Sequence, residues 1–481
     1  MANDAADSFG GVVDTASAEA PERLRNPRGV LVVLLLAGVA FALSQTLAIP
    51  ALPDISREVG ASPEVTAWVL SGFLLSASVA TPIVGKLGDV FGKGRVLTIV
   101  LLLFALGGVV CALSGSIGVL IAGRVIQGVA GGVFPLAFGI VRDTFPPRRM
   151  ASGLGIVSAM IGIGAGIGLP LSGVVADNLG VPWLFWISLI ALPAALAAHL
   201  LVPESPRSER VRIDWVGAAL LSAALASVLL GVTKANDWGW GAPRTLGLFA
   251  AGLVLFAVWV QVERRIAEPL IELGVLRRRP VATANLTGLL VGFAMFSSFL
   301  LIPQFAQAPE STGYGFGDSV TQAGLLLVPA ALFQLVGGPL AGWLGERIGF
   351  RTTLAMGAAS ATAAFVFLVV EHSAPWHFIF AAALLGTGIS FAFASMANVI
   401  VDAVPQSEVG IATGINTIMR TVGGAFGAAV ATAILSGNTI DASGIPTEGA
   451  YTAAFLMSSA GGLLAIAAAL AVPGRRVAAR T

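Results

Sequence analysis

The sequence predicts an all-α integral membrane protein with fourteen transmembrane helices, arranged as two pseudo-repeated six-helix bundles plus two inserted central helices. The chain is 56% hydrophobic and only 11% charged, with a mean hydropathy of +0.89. This balance is far from that of soluble globular proteins. The chain also contains fourteen apolar stretches of about 20 residues, the length that crosses a bilayer. Finally, two motifs recur at nearly the same spacing along the chain, which indicates an internal duplication.

The apolar stretches divide the chain into five segments. Residues 1–28 are a polar amino-terminal tail, and the first apolar run is too long for a signal-peptide core, so we expect it to be retained. Residues 29–203 hold the first bundle, residues 204–281 hold linkers and inserted helices 7 and 8, residues 282–473 hold the second bundle, and residues 474–481 are a basic tail. The predicted helices begin near residues 29, 65, 95, 117, 150, 181, 213, 245, 282, 320, 352, 377, 407 and 450.

Basic residues cluster in alternate connections between the apolar stretches. Most of the 27 Lys and Arg residues fall in connections that are cytoplasmic if the amino terminus is cytoplasmic. Only Arg57, Lys234 and Arg244 fall in outer connections, and Arg124 and Arg420 fall within spans. Because cytoplasmic loops are enriched in Lys and Arg, the pattern predicts a multi-pass protein of the cell membrane with both termini in the cytoplasm.

The connection between the second and third predicted helices reads GKLGDVFGKGRVL (residues 85–97) and recurs as GWLGERIGFRTTL (residues 342–354). A second motif, Asp143-x-x-Pro146, recurs as Asp402-x-x-Pro405. Duplicated six-helix halves are a transporter architecture with the substrate path at their interface. The candidate residues of a cytoplasmic gate are Gly85, Asp89, Gly92, Lys93 and Arg95 in the first copy and Gly342, Glu346, Gly349 and Arg351 in the second.

These motifs resemble those of a known family. GKLGDVFGKGRVL is similar to the signature loop of the major facilitator superfamily, and LIAGRVIQGVAGG (residues 120–132) resembles its fourth-helix motif. GIGAGIGLPLSG (residues 162–173) resembles the fifth-helix motif of the drug antiporter branch, and fourteen spans resemble its larger class of drug:proton antiporters. That class commonly has an Asp in the first helix, where this chain has Ser44. The antiporter-motif residues are Gly162, Gly164, Gly166, Gly168, Pro170 and Gly173.

The resemblance implies roles for the charged residues. It implies that Asp89 closes the cytoplasmic side by capping a neighbouring helix or pairing with an arginine; the alternative is a turn that only orients helices. Arg124 lies about two turns inside a span, where a guanidinium needs compensation, and shares a helical face with Gln127. It either takes part in proton movement or binding, or is a structural residue bonded to backbone carbonyls. Asp143 and Arg420 are further candidates for proton coupling or buried charge.

Small residues four positions apart let helices approach closely. They predict close helix packing, and packing alone is one explanation. The other, which the resemblance supports, is that contact between the fifth and thirteenth helices forms the hinge on which the halves rock. Pro170 is expected to bend the fifth helix. The candidate cavity residues are Phe41, Ser44, Gln45, Phe134, Phe138, Phe293, Phe296, Gln304 and Phe393.

The predicted function is proton-coupled export of small, largely apolar compounds by alternating access between the bundles. We expect a monomer that needs no metal or cofactor beyond the proton gradient and binds no nucleic acid. A specific metabolite transporter and a channel are alternatives. A membrane enzyme fits poorly, because three histidines, one cysteine and no expected buried acid pair resemble no metal or nucleophile site.

The placement of the charges also predicts the substrates. Every Asp and Glu falls in a loop or near a helix end, so the only central charges are the positive ones of Arg124 and Arg420. A lone cation deep in the bilayer is costly. We therefore expect neutral, zwitterionic or weakly acidic substrates rather than dications, and proton coupling through Asp89 or Asp143.

Overall fold

A computed structural model of the 481-residue chain describes residues 27–48, 51–61, 63–66, 68–204, 214–266, 273–405, 408–440 and 445–473. The predicted tails therefore lie outside the described residues, apart from Pro27 and Arg28. In the described part, thirteen helices are long and apolar enough to cross a membrane, and a further helix of 33 residues, Pro147–Leu179, stands at the fifth predicted position.

The long helices match the predicted spans one for one. They are α1 (Pro27–Leu47), α2 (Trp68–Phe91), α3 (Lys93–Ala112), α4 (Ile117–Thr144), α5 (Pro147–Leu179), α6 (Val181–Leu201), α7 (Trp215–Trp238), α8 (Pro243–Glu263), α9 (Arg279–Gln307), α10 (Thr321–Ile348), α11 (Phe350–Val370), α12 (Pro375–Ala403), α13 (Val409–Gly437) and α14 (Glu448–Leu470). An all-α membrane architecture is therefore confirmed.

Shorter elements interrupt or connect these helices. Turns of 3-10 helix lie at Val129–Gly132 within α4 and at Ile187–Ile190 within α6. The connections contain the short helices Leu52–Val59, Pro63–Thr66 and Leu273–Arg277, the 3-10 turn Glu310–Thr312, and the antiparallel pair β1 (Thr439–Ile440) and β2 (Ile445–Pro446).

Two glycines make matching reversals between helices. Gly92 separates α2 from α3 with φ 99 and ψ 128, and Gly349 separates α10 from α11 with φ 91 and ψ 140. Side chains with a Cβ rarely adopt these positive φ angles, so both copies of the repeated loop depend on glycine for the same turn. We call the end of the bundle that holds these two turns the basic end.

Helix packing repeats in the same way across the seam between the two bundles. A Cβ atom added at Gly85 in α2 would lie 3.0 Å from the carbonyl oxygen of Gly410 in α13. A Cβ added at Gly342 in α10 would lie 2.7 Å from the carbonyl oxygen of Ala151 in α5. Thus α2 packs on α13 as α10 packs on α5, and the duplication predicted from the sequence is present in the packing.

The predicted close contact of α5 with α13 is wrong for the glycines that the structure describes. Gly164 and Gly168 pack instead against α1, where Thr46 Oγ1 donates to the Gly164 carbonyl at 3.2 Å. In the second bundle, Gly423 and Gly427 pack against the α9 backbone at Leu289 and Phe293. The reason is the pseudo-symmetry: equivalent glycine pairs hold each bundle together internally rather than joining the two bundles.

Pro170 lies inside α5 and is buried. Gly173 faces α10, where a Cβ added at Gly173 would lie 2.5 Å from Thr321 Oγ1. Gly162 and Gly166 belong to α5, but their surroundings lie outside the described part of the chain.

The inserted helices α7 and α8 pair with each other and lie over the seam between α2 and α13. Ala218, Leu221 and Trp259 of the pair pack with Ile411 and Ile415 of α13. Toward the other end, Asn236 Nδ2 donates to the Ala429 carbonyl of α13 at 3.2 Å. The pair is therefore attached to α13 near both ends of the bundle.

Candidate functional site

Three buried charges form a cluster at the basic end, which we call the lysine cluster: Lys93, Asp89 and Asp143. Lys93 Nζ lies 3.2 Å from Asp89 Oδ1 and 3.0 Å from Asp143 Oδ2. The three side chains are at most 5% exposed. Lys93 begins α3 directly after the Gly92 turn, and its stem crosses Gly139 of α4, where an added Cβ would lie 2.5 Å from Lys93 Cε. The helices α2, α3 and α4 are thereby joined.

Asp89 also lies at the seam between the bundles. Its Oδ2 atom is 3.2 Å from the position of a Cβ added at Gly410, in the first turn of α13. The amino-terminal end of a helix carries a partial positive charge, so the carboxylate is favourably placed against α13. Of the two predicted roles for Asp89, its side chain is positioned for the helix-end contact, and its charged partner is Lys93 rather than an arginine.

The second copy of the loop lacks an equivalent cluster. Phe350 stands where the first copy has Lys93, and its ring packs on Gly345. Glu346 and Arg351 are exposed and form no ion pair with any described residue. In the first copy, Arg95 Nε approaches Glu204 Oε1 at 3.9 Å, with both side chains about half exposed. The two copies therefore share a backbone turn but not a charge arrangement.

Arg142 is a seam residue that sequence reasoning did not single out. Its Nη2 donates to the Val404 carbonyl at 3.0 Å and its Nη1 to the Pro405 carbonyl at 3.3 Å. These carbonyls follow the carboxyl-terminal end of α12, where unpaired carbonyls attract cations. The sequence feature that could have identified Arg142 is its position next to Asp143, because Asp143 and the acceptor Pro405 both belong to the repeated motif.

Arg124 is fully buried and joins α1, α2 and α4. Its Nε donates to the Val69 carbonyl at 3.0 Å, and its Nη1 lies 3.1 Å from both the carbonyl and the Oγ of Ser44 and 2.9 Å from Gln127 Oε1. The guanidinium carbon lies 4.1 Å from the ring centroid of Phe73. Arg124 Nη2 and Gln127 Nε2 are buried and have no hydrogen-bond partner among the residues that the structure describes.

Arg420 is buried in the second bundle, where Gly288 of α9 and Phe393 of α12 contact it. Its Nη2 lies 3.2 Å from Thr417 Oγ1, and its guanidinium carbon lies 4.2 Å from the Phe393 ring centroid. One turn earlier on α13, Asn416 Nδ2 donates to the Ala284 carbonyl and to Asn285 Oδ1 of α9, each at 3.2 Å. The two central arginines thus have very different surroundings.

The expectation of no buried acid pair is wrong. Asp214 and Glu263 are 9% and 3% exposed, and a carboxylate oxygen of each lies within 2.7 Å of the position of a Cβ added at Gly217, at the basic end of the α7–α8 pair. Asp214 Oδ1 accepts from the Gly217 amide at 2.8 Å and so caps α7. Both residues stand at helix ends, which is where the sequence placed the acids, but the pairing of α7 with α8 buries them. Among the described residues, no group of three or more His, Cys, Asp or Glu side chains could hold a metal ion.

The Major Facilitator Superfamily model matches residues 34–315 and 286–481 of the chain. The chain belongs to the major facilitator superfamily. Within this superfamily, it is similar to the tetracenomycin C resistance and export protein of Streptomyces glaucescens, with 30% identity over 409 residues, covering 84% of this chain and 75% of the relative. It is also similar to multidrug resistance protein 3 of Bacillus subtilis (strain 168), with 27% identity over 412 residues, 83% of this chain and 78% of the relative.

A solved structure also shares the fold. The crystal structure of the human organic anion transporter MFSD10 (TETRAN) matches with a TM-score of 0.64 and 19% identity, covering 92% of this chain and 99% of that one.

In this major facilitator protein, the predicted cavity residues separate into groups. Phe41 stacks on Phe73 at a centroid distance of 5.4 Å and meets Phe134 edge-on at 5.9 Å, next to the Arg124 site. Ser44 bonds Arg124 and Phe393 supports Arg420. Gln45, Phe293 and Phe296 are partly buried, Phe138 is buried, and Gln304 is exposed.

Proposed function

We propose that the chain is a secondary active exporter of small, largely apolar compounds, driven by the proton gradient and working by alternating access between its two bundles. The observation that carries this proposal is similarity over more than four fifths of the chain to two proteins whose names describe drug resistance or export. The pseudo-symmetric seam supports it, because two repeated bundles that meet along matched helix pairs can rock against each other.

The contacts at the basic end support a closed gate on that side. Asp89 faces the start of α13, Arg142 holds the end of α12, and Gly342 packs on Ala151 of α5. We propose that the basic end lies in the cytoplasm of a cell-membrane protein, following the distribution of Lys and Arg. We further propose that the protein acts as a monomer, with bundles at residues 29–203 and 282–473.

We propose that the lysine cluster couples the gate to protons. Two carboxylates around one ammonium leave a net negative charge, which favours both Lys93 and the positive end of α13. Protonation of either carboxylate removes one charge from the cluster. The attraction of Asp89 and Asp143 for Lys93 of α3, and of Asp89 for the start of α13, then weakens. The two bundles can then separate at this end of the seam.

Transport in everted membrane vesicles tests the proposal. With an imposed pH gradient, we expect accumulation of neutral or weakly acidic hydrophobic compounds inside the vesicles, abolished by an ionophore that collapses the gradient. A dicationic antiseptic should be moved poorly, because the central charges are arginines. Strong transport of the dication with little transport of neutral compounds would contradict the proposed substrate class. Transport unaffected by the ionophore would contradict proton coupling.

A further inference from the structure

Arg420 and Arg124 are both buried arginines supported by an aromatic ring, but their hydrogen bonds differ. Arg124 has protein acceptors on its Nε and Nη1 atoms, and its Nη2 is sealed in the interior. Among the described residues, Arg420 has one hydrogen-bond partner, the hydroxyl of Thr417, and no carboxylate within ion-pair distance. Arg420 is 5% exposed, so part of its side chain stays accessible, whereas Arg124 is 0% exposed. An acceptor from outside the protein can therefore reach Arg420 but not Arg124.

The Phe393 ring supports the charge of Arg420 without accepting a conventional hydrogen bond from it. The guanidinium carbon lies over the ring, 4.2 Å from its centroid, which is a cation–π contact. The N–H donors that do not bond Thr417 therefore remain available to an acceptor with lone pairs. A planar carboxylate can accept two parallel hydrogen bonds from a guanidinium group.

The residues around Arg420 combine close packing against α9 with nearby aromatic side chains. Glycines stand opposite Arg420 on α9, where a Cβ at Gly288 would lie 3.4 Å from Arg420 Cγ. One turn further along α13, Gly424 contacts the ring of Phe296, a partly buried side chain that also meets Phe299 at 5.9 Å. An anionic group at Arg420 thus has aromatic surface about one helical turn away.

We propose that Arg420 is the acid-binding residue of the substrate path and that it binds the carboxylate of weakly acidic aromatic compounds. This inference rests on the exporter function proposed above and assigns substrate charge selection to one of the two central arginines. A buried guanidinium without a counter-ion is costly. The carboxylate of a bound substrate supplies this counter-ion, which the described residues do not provide. Arg124 has a structural part in this arrangement and contacts no substrate acid.

The test measures binding of two probes to the purified full-length protein. The probes, 2-naphthoate and 2-naphthamide, have the same ring system and nearly the same shape, but only the first carries a negative charge. Wild type should bind the acid about tenfold or more tightly than the amide, the difference expected for a charge-assisted hydrogen bond. Arg420→Gln should bring this ratio close to one while changing amide affinity little. Arg420→Lys should keep part of the preference. Arg244→Gln, which removes an exposed arginine at the start of α8, is the matched control and should keep the full ratio.

Each outcome decides between the proposals. A ratio near one in wild type, no binding of either probe, or a ratio unchanged in both Arg420 variants overturns the inference. Retained binding of the amide by Arg420→Gln shows that this variant is folded. If Arg420→Gln does not fold, the test rests on Arg420→Lys, whose preference for the acid over the amide should be lower than that of wild type. Export of the neutral dye Nile red from proteoliposomes tests the transport function separately. If wild type exports the dye while Arg420→Gln keeps the acid preference, the inference fails and the exporter proposal stands.

Discussion

At the scale of single residues, we expect the Asp89 carboxylate to contribute most to closing the gate. It faces both Lys93 and the start of α13. We expect Asp89→Asn to insert normally and to lower export by at least about tenfold, because a charge-assisted interaction worth about 1.5–3 kcal/mol is removed from the closed gate. Initial export rates at equal amounts of protein in the membrane measure this. Wild-type rates in the Asn variant would show that the charge of Asp89 does not hold the gate.

The second copy of the loop provides the matched comparison. Glu346 occupies the position equivalent to Asp89, but it is exposed and Phe350 replaces the lysine. Exposed charges contribute little, so Glu346→Gln should change the export rate less than about twofold. A loss as large as that of Asp89→Asn would mean that the loop acts through its sequence pattern in both copies rather than through the lysine cluster.

The substitution Arg124→Lys keeps the positive charge but removes the planar guanidinium group. The guanidinium reaches acceptors on α1, α2 and α4 at once, and a single ammonium at the end of a flexible stem cannot reproduce this fork. We expect severe loss of transport and a lower unfolding temperature in detergent, since at least one buried acceptor is left unsatisfied at a cost of about 1–3 kcal/mol. Full activity with unchanged stability would instead favour a purely electrostatic role.

Residue type and spacing predicted part of this chemistry. The pairing of Arg124 with Gln127 follows from their three-residue spacing on one helix. The contact of Arg142 with α12 could not be predicted in the same way, because it joins residues from different bundles and depends on how the seam packs. The same holds for Arg420, whose lack of a counter-ion is visible only when every neighbouring helix has been placed.

At the scale of helices, long apolar runs predict where spans begin, and a helix stands at every predicted position. Glycine patterns are less informative about partners. A small-xxx-small pattern shows that a helix can approach another closely, but it does not name the neighbour. The glycines of α5 therefore indicated close packing correctly and the partner α13 incorrectly, since Gly164 and Gly168 contact α1.

The inserted pair provides a prediction about helix attachment. Trp240, in the connection between α7 and α8, stacks with Phe249 of α8 and meets Phe426 of α13, each at a centroid distance of 6.5 Å. Between α7 and the helices α2 and α4 there is instead an open cleft of about 460 Å³, lined by residues such as Gly72 and Ser222. We infer that this aromatic contact fastens the outer end of the pair to α13.

A double-mutant cycle of Trp240→Ala and Phe426→Ala should therefore show a coupling of about 0.5–1.5 kcal/mol in unfolding, as measured for other aromatic pairs. Thermal unfolding of the purified variants provides the measurement, and Trp376→Ala, which changes an exposed tryptophan on α12, is the control partner for Phe426→Ala. Strict additivity for Trp240 and Phe426 would mean that this contact does not fasten the pair to α13.

At the scale of the whole molecule, the seam must separate at the basic end in each transport cycle if the bundles rock against each other. Thr81 of α2 and Gly414 of α13 face each other there, and a Cβ added at Gly414 would lie 3.4 Å from Thr81 Cγ2. Thr81 Cγ2 is one bond beyond Thr81 Cβ, in the place of a cysteine sulfur, so the two Cβ atoms come near the roughly 3.5–4.5 Å separation typical of a disulfide. The pair Thr81→Cys and Gly414→Cys, made together with Cys111→Ala to remove the single native cysteine, can therefore lock the seam.

Oxidation of this variant should abolish export, and a reductant should restore it, because a covalent bond across the seam prevents the basic end from opening. The matched control places the bond within one bundle, between Thr362→Cys in α11 and Gly462→Cys in α14, where an added Cβ would lie 3.1 Å from Thr362 Cβ. That bond should leave export near its reduced rate, since alternating access moves each bundle largely as a rigid body. Export rates with and without reductant, alongside the cross-linked fraction on a gel, distinguish the two. Undiminished export by fully cross-linked Thr81–Gly414 protein would mean that substrate passes without separation of α2 from α13, and the rocking mechanism would have to be abandoned for this chain.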